Sequence, residues 1–150
     1  MKVQDTIAQV LKGKRIGKAL SVAPDDTVFD ALKLMAEHDV GALLVLANGE
    51  LVGILSERDY ARRGILQGHT SHETRVSQMM TSHVISVTPE HTVDECMSIM
   101  TENRFRHLPV VANGSVAGVV SIGDLVKWVI SKQDRAIQEL EGYVTGSYPA

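Results

Sequence analysis

Two stretches of the chain set a hydroxyl and a carboxylate at a spacing with chemical meaning: Gly53-Ile-Leu-Ser56-Glu-Arg-Asp59 and Gly118-Val-Val-Ser121-Ile-Gly-Asp124. In each, an apolar run ends at serine and a carboxylate follows three residues on. At a helix start, Ser-x-x-Asp is a capping box whose hydroxyl and carboxylate satisfy free amides. The same place suits a nucleotide. Helix amides and serine hydroxyls bind phosphate, while a fixed carboxylate accepts hydrogen bonds from a ribose diol. Capping is the routine role of such a box, and the two roles are compatible.

Other reactive side chains make weaker cases. His69-Thr-Ser-His72 has half of a metal site's spacing, but no second half follows, so the pair reads as loop. His38, His83 and His91 read as surface residues. Cys96, Met35, Met97 and Met100 fall on the apolar faces of helical patterns and read as core. No Gly-x-Ser-x-Gly elbow, Walker loop or Rossmann fingerprint occurs. Glu57 and Asp59 lie close together, yet without an acid/base partner they make a thin case for catalysis.

The elements that must position these residues come in two copies. A shift of 65 residues lays Ser21-Val22-Ala23-Pro24 on Ser86-Val87-Thr88-Pro89 and Thr27-Val28 on Thr92-Val93. The same shift aligns Met35 with Met100, Ala47-Asn48-Gly49 with Ala112-Asn113-Gly114, and Ser56 and Asp59 with Ser121 and Asp124. The chain is therefore a tandem duplication. Each copy predicts a short strand (Ala19 to Val22; Val84 to Val87), then a helix capped at Thr27 or Thr92. Two apolar runs around Asn-Gly follow as a hairpin, and a second helix starts near Ser56 or Ser121. The fold class is α/β (α+β), with two pseudo-symmetric β-α-β-β-α repeats packed face to face, since a unit of about 60 residues is marginal alone. Boundaries are expected at 1–15 for an N-terminal helix, 16–64 and 81–129 for the repeats, 65–80 for the linker and 130–150 for a helical extension. Ile130, Ile137, Leu140 and Val144 stripe that extension, which covers its own core or meets a second subunit.

The 150 residues are 44% hydrophobic and 22% charged, ordinary globular composition. With 15 Lys+Arg against 18 Asp+Glu, and one Trp, three Tyr and two Phe, nucleic-acid binding is disfavoured. Lys12, Lys14, Arg15 and Lys18 form the one dense basic patch. A single cysteine excludes an internal disulfide and fits a reducing compartment. No apolar run is long enough to span a membrane, and no secretory signal is seen. These features predict a soluble, cytoplasmic protein.

The two repeats in register resemble a tandem pair of cystathionine β-synthase (CBS) domains, a Bateman module. In that family Gly-h-h-Ser/Thr-x-x-Asp, with h apolar, closes each repeat, and Arg106-His107-Leu108-Pro109-Val110-Val111 resembles its second strand. The resemblance runs from about Arg15 to Val129, and Ser56-Glu-Arg-Asp-Tyr-Ala-Arg62 is similar to the small stand-alone bacterial members. It implies a non-enzymatic sensor that binds an adenosyl ligand between the repeats: AMP, ADP, ATP, NAD or S-adenosylmethionine. Residue by residue, Asp59 and Asp124 would hold ribose hydroxyls, and Ser56 and Ser121 would contact ribose or phosphate. Lys18, Ala19, Leu20 and Ser21, with His83, Val84, Ile85 and Ser86, would flank the adenine. Arg58 belongs to the first copy's motif, and Arg106 and His107 match phosphate-contacting positions; a solvated strand-end charge is the weaker alternative for Arg106, because arginine and phosphate make good bidentate pairs. These three would converge on the phosphates of the ligand held by Asp59. The copies are unequal: Gly41-Ala42 stands opposite Arg106-His107, and Gly123 opposite Arg58. The resemblance also implies a homodimer, commonly a flat disc of four repeats, and points to no particular downstream protein. The competing expectations are an interaction dimer with vestigial nucleotide sites, and a nucleotide-directed enzyme, for which no base or metal set stands out.

Overall fold

The computed structural model describes residues 3–13 and 20–145; Lys14, Arg15, Lys18, Ala19 and the side chain of Val144 lie outside the described residues. The hairpins form where Asn-Gly demands them. Asn48 and Gly49 have φ of 52° and 82°, Asn113 and Gly114 of 53° and 78°, the paired positive φ of a tight hairpin turn. They join β2 (Ala42–Ala47) to β3 (Glu50–Ser56), and β4 (His107–Ala112) to β5 (Ser115–Ser121). The antiparallel registers run from Ala42↔Ser56 and His107↔Ser121, with a one-residue slip after Val45 and again after Val110.

Before each hairpin lies an amphipathic helix, α2 (Val28–His38) or α5 (Val93–Asn103). Val28, Ala31 and Met35 face one core, and Val93, Cys96 and Met100 the other. Thr92 and Glu95 form the reciprocal capping box at 3.0 and 3.1 Å, whereas at α2 only the Thr27 half is made, at 3.2 Å. Burial pushes the Cys96 thiol up to about 11, with the neighbouring Glu95 adding to the shift. It is a packed hydrophobe rather than a nucleophile.

In the first copy the leading strand β1 (Ser21–Val22) pairs in parallel with β2. The strand expected over Val84 to Val87 does not form. Only a bridge from Val87 to Val110 survives. The reason is Pro109. Its counterpart Leu44 donates its amide to the Leu20 carbonyl at 3.1 Å, a bond that proline cannot make.

Two cores result, and each is completed from outside its own repeat. The short helix α1 (Ile7–Lys12) sends Ile7 and Val10 into the core of the second repeat. The linker helix α4 (Val76–Met79) sends Val76 and Met79 into the first. The contacts correspond: Ile7 N–H donates to the His91 carbonyl and Val76 N–H to that of Asp26, both at 2.8 Å. The motif glycines mark the close approach. A Cβ at Gly53 would stand 2.6 Å from the Met80 sulfur and 3.0 Å from the Thr81 carbonyl, and one at Gly118 would stand 3.0 Å from Leu11. Asp5, just ahead of α1, accepts the Trp128 indole N–H at 2.7 Å and lies 3.2 Å from Lys132. The Trp128 bond, aided by Lys132 and Arg135, holds the Asp5 carboxyl below its usual range.

The closing helices differ. In the first copy α3 (Glu57–Asp59) passes into a π-helical turn, Tyr60–Gly64, and a 3-10 turn, Ile65–Gln67. Gly64 lies under the Tyr60 ring, and Gly68 ends the segment with φ of 78°. The second copy has Val129 and Gln133 at those places, and α6 (Ile122–Thr145) runs on for 24 residues. Ile130, Ile137, Leu140 and Tyr143 are exposed along it, as are Ile65 and Leu66 in the first copy. No helix among the described residues is long and apolar enough to cross a membrane.

Candidate functional site

The serine ending β3 caps α3. Asp59 N–H donates to Ser56 Oγ at 3.1 Å, and Asp59 Oδ2 accepts the Ser56 amide at 2.9 Å. Ser121 and Asp124 repeat the box at 3.1 and 2.8 Å. Both carboxylates are thus held by local backbone at the end of a strand. Asp59 is held further, because its Oδ1 pairs with Arg63 and lies 3.5 Å from the Thr81 hydroxyl.

Asp59 lines a cavity of about 370 Å³ between the repeats. The first repeat contributes Gly41, Ile54, Ser56, Glu57, Arg58, Asp59 and Arg62, and the second Val84, Ile85, Arg104, Phe105, Arg106 and His107. The strand ends are anchored alike, with Glu57 N–H on the Gly41 carbonyl at 3.0 Å and Ile122 N–H on that of Arg106 at 2.8 Å. From that anchorage the His107 ring reaches the other repeat. A Cβ at Gly41 would lie 3.6 Å from its Nε2.

The charge is one-sided. Arg58, Arg62, Arg104 and Arg106 face Glu57 and Asp59, and Asp59 is already paired with Arg63. Desolvation, then the charges of Arg106 and Arg62, hold the Arg58 guanidinium below its usual range. Arginines brought together at the cost of mutual repulsion provide what a phosphate group requires. Ile54, Val84, Ile85 and Phe105 supply an apolar wall beside them. Among the described residues no group of three or more His, Cys, Asp or Glu could hold a metal ion.

Of the residues singled out in the sequence, this cleft gathers Ser56, Arg58, Asp59, Val84, Ile85, Arg106 and His107. Leu20, Ser21, His83, Ser86, Ser121 and Asp124 do not line it. Leu20 packs partly on the first core, Ser21, His83 and Ser86 are exposed, and Ser121 and Asp124 cap α6. Arg62, Arg104, Phe105, Ile54, Gly41 and Glu57 join the lining unforeseen. Arg62 was legible, being four residues from Arg58 and so on the same helical face. Arg104 ends α5 in the left-handed region, with φ of 58°, a conformation that nothing in an arginine announces. The His69–His72 pair resolves as well: His72 stacks on Phe29, ring centroids 3.9 Å apart.

Tandem β-hairpin repeats around a shared cleft define a two-repeat module. The CBS domain family profile matches residues 16–65 and 76–131, and the chain belongs to that family. It is 44% identical to the CBS domain-containing protein CBSX3, mitochondrial, of Arabidopsis thaliana, over 95% of this chain and 73% of that protein. It is also similar to a Burkholderia ambifaria protein with CBS domains, assigned to signal transduction. The identity there is 50%, with a TM-score of 0.82, over 85% of this chain and 96% of that one. The CBS domain pair of MJ0100, in complex with 5′-methylthioadenosine and S-adenosyl-L-methionine, shares the fold. Its TM-score is 0.75 at 21% identity, over 87% of this chain and 99% of that one.

Proposed function

We propose that the chain is a non-enzymatic sensor of adenine nucleotide (AMP, ADP or ATP) or NAD, bound in the cleft between its repeats. The observation that carries this reading is the cleft's composition. Four arginines drawn from both repeats share a cavity with a backbone-anchored carboxylate and an apolar wall. Adenine would lie on the wall, the ribose diol on Asp59, and phosphates among Arg58, Arg62 and Arg106. The volume of about 370 Å³ is within the range of small-molecule sites, about 300–1,000 Å³. Since the ligand would touch both repeats, it favours one angle between them, and a partner reads that population shift. The MJ0100 pair offers a precedent for adenosyl ligands on this fold.

The test is thermal. A ligand at about a hundred times its dissociation constant stabilises the native state by roughly 2.7 kcal/mol. For a chain of this size the melting temperature is expected to rise by about 5–10 °C. A melting curve unmoved by AMP, ATP and NAD alike would leave the alternative, an interaction dimer with vestigial sites.

The exposed Ile65, Leu66, Ile130, Ile137 and Leu140 support a second element of the proposal, a homodimer. An interface built on such faces persists at micromolar concentration. Light scattering is expected to give twice the 16.3 kDa chain mass, and a monomer across that range refutes the dimer.

A further inference from the structure

Both oxygens of the Asp59 carboxylate are tied down from behind the cleft. Oδ2 accepts the Ser56 amide at 2.9 Å. Oδ1 pairs with Arg63 Nη2, which also donates to the Thr81 hydroxyl at 2.9 Å, and that hydroxyl lies 3.5 Å from Oδ1. Thr81 is itself pinned to β3: its amide donates to the Ile54 carbonyl at 2.9 Å, and its carbonyl accepts the Ile54 amide at 3.0 Å. Arg63 and Thr81 do not line the cavity, whereas Asp59 and Ile54 do.

We propose that Arg63 is a positioning residue: with Thr81 it fixes the plane of the Asp59 carboxylate, and so sets how strongly the first cleft distinguishes ribose from deoxyribose. The inference rests on the nucleotide reading above. A carboxylate has about four acceptor positions. The Ser56 amide and Arg63 occupy two of them from behind, with Thr81 steadying Arg63, which stops rotation about the terminal torsion and leaves about two toward the cavity. Preorganisation of this kind lowers the ordering cost of binding, and the gain appears only when the ligand brings hydroxyls to the acceptor.

At the position of Arg63 the second copy has Trp128, whose indole donates to Asp5 instead. The π-helical turn Tyr60–Gly64 matters here too. Such turns are frequent at functional sites, and this one carries both Arg62, which lines the cavity, and Arg63, which holds the carboxylate. A plain i,i+4 helix pair would involve Asp59 and Arg63 alone; Thr81, 18 residues from Arg63, makes the arrangement a clamp.

The test uses the full chain with Asp124→Asn to weaken the second site, and calorimetry with AMP, 2′-deoxy-AMP and 3′-deoxy-AMP. The parent is expected to bind AMP about tenfold or more tighter than either deoxy form. Arg63→Met should lose about three- to tenfold for AMP but little for the deoxy forms, so that discrimination contracts. Arg63→Lys should restore part of it, and Thr81→Val should contract it by a smaller factor with the Arg63 pair intact. A variant that weakens all three ligands equally, or none, shows a helix-stabilising salt bridge and overturns the proposal. A parent that binds AMP without discrimination also overturns it while the nucleotide reading stands, and a parent that binds none of the three removes both. Should Arg63→Met melt before it can be titrated, the Thr81→Val comparison decides alone.

Discussion

An Arg106→Glu protein is expected to lose ATP binding in the first cleft by about a hundredfold or more. Arg106 lines the cavity beside Arg58 and Arg62, and its backbone is fixed by Ile122, so its guanidinium enters the cleft from a held strand end. A charge-assisted hydrogen bond contributes about 1.5–3 kcal/mol, and each 1.4 kcal/mol is tenfold in affinity. Reversal removes the bond and adds a repulsive carboxylate. The effect should shrink with fewer phosphates, so AMP is expected to lose less than ATP. Asp59→Ala acts on the other end of the ligand. It should cost AMP and ATP tenfold to several hundredfold at this cleft, by loss of the ribose hydroxyls. Asp124→Ala is expected to affect a different ligand, because the 65-residue shift puts Gly123, Lys127 and, in the first repeat, Asp39 at the positions equivalent to Arg58, Arg62 and Arg104. Calorimetric titration of the three variants with AMP, ATP and NAD checks the whole set. Equal losses of one ligand in Asp59→Ala and Asp124→Ala would refute the asymmetry of the two sites.

Ile7→Ala is expected to destabilise the second repeat, although Ile7 lies ahead of the first. Its side chain is fully buried with Val10, Val93, Met100 and Leu108, and the amide of the same residue bonds His91. Truncating such a residue costs about 2–5 kcal/mol, because the cavity left behind collapses only partly. In a chain of this length that is about 4–20 °C in melting temperature. Hydrogen exchange gives the location: amides of β4 and β5 should lose protection well before those of β2 and β3. Loosening confined to the first repeat would contradict the exchanged arrangement of α1 and α4.

Sequence alone was sufficient wherever the deciding contacts are local. Asn48-Gly49 and Asn113-Gly114 specify their turns because both residues must take positive φ, a property of the residues themselves. The boxes at Ser56 and Ser121 close within four residues, and so were legible as spacing. The duplication placed Asp59 and Asp124 in equivalent positions, and the family resemblance indicated which strand end should face Asp59. What the repeat concealed is where the copies stop being alike. Pro109 removes one amide, and a strand becomes a bridge. Gly64 and Gly68 turn a helix into a π turn and a stop, where Val129 and Gln133 let its twin run on. Tertiary structure alone decided that α1 completes the far core, that Arg104 joins the cleft, and that Thr81 reaches Asp59 together with Arg63. Each of these contacts spans a long stretch of chain, and its energy comes from burial and charge between segments that no local spacing relates.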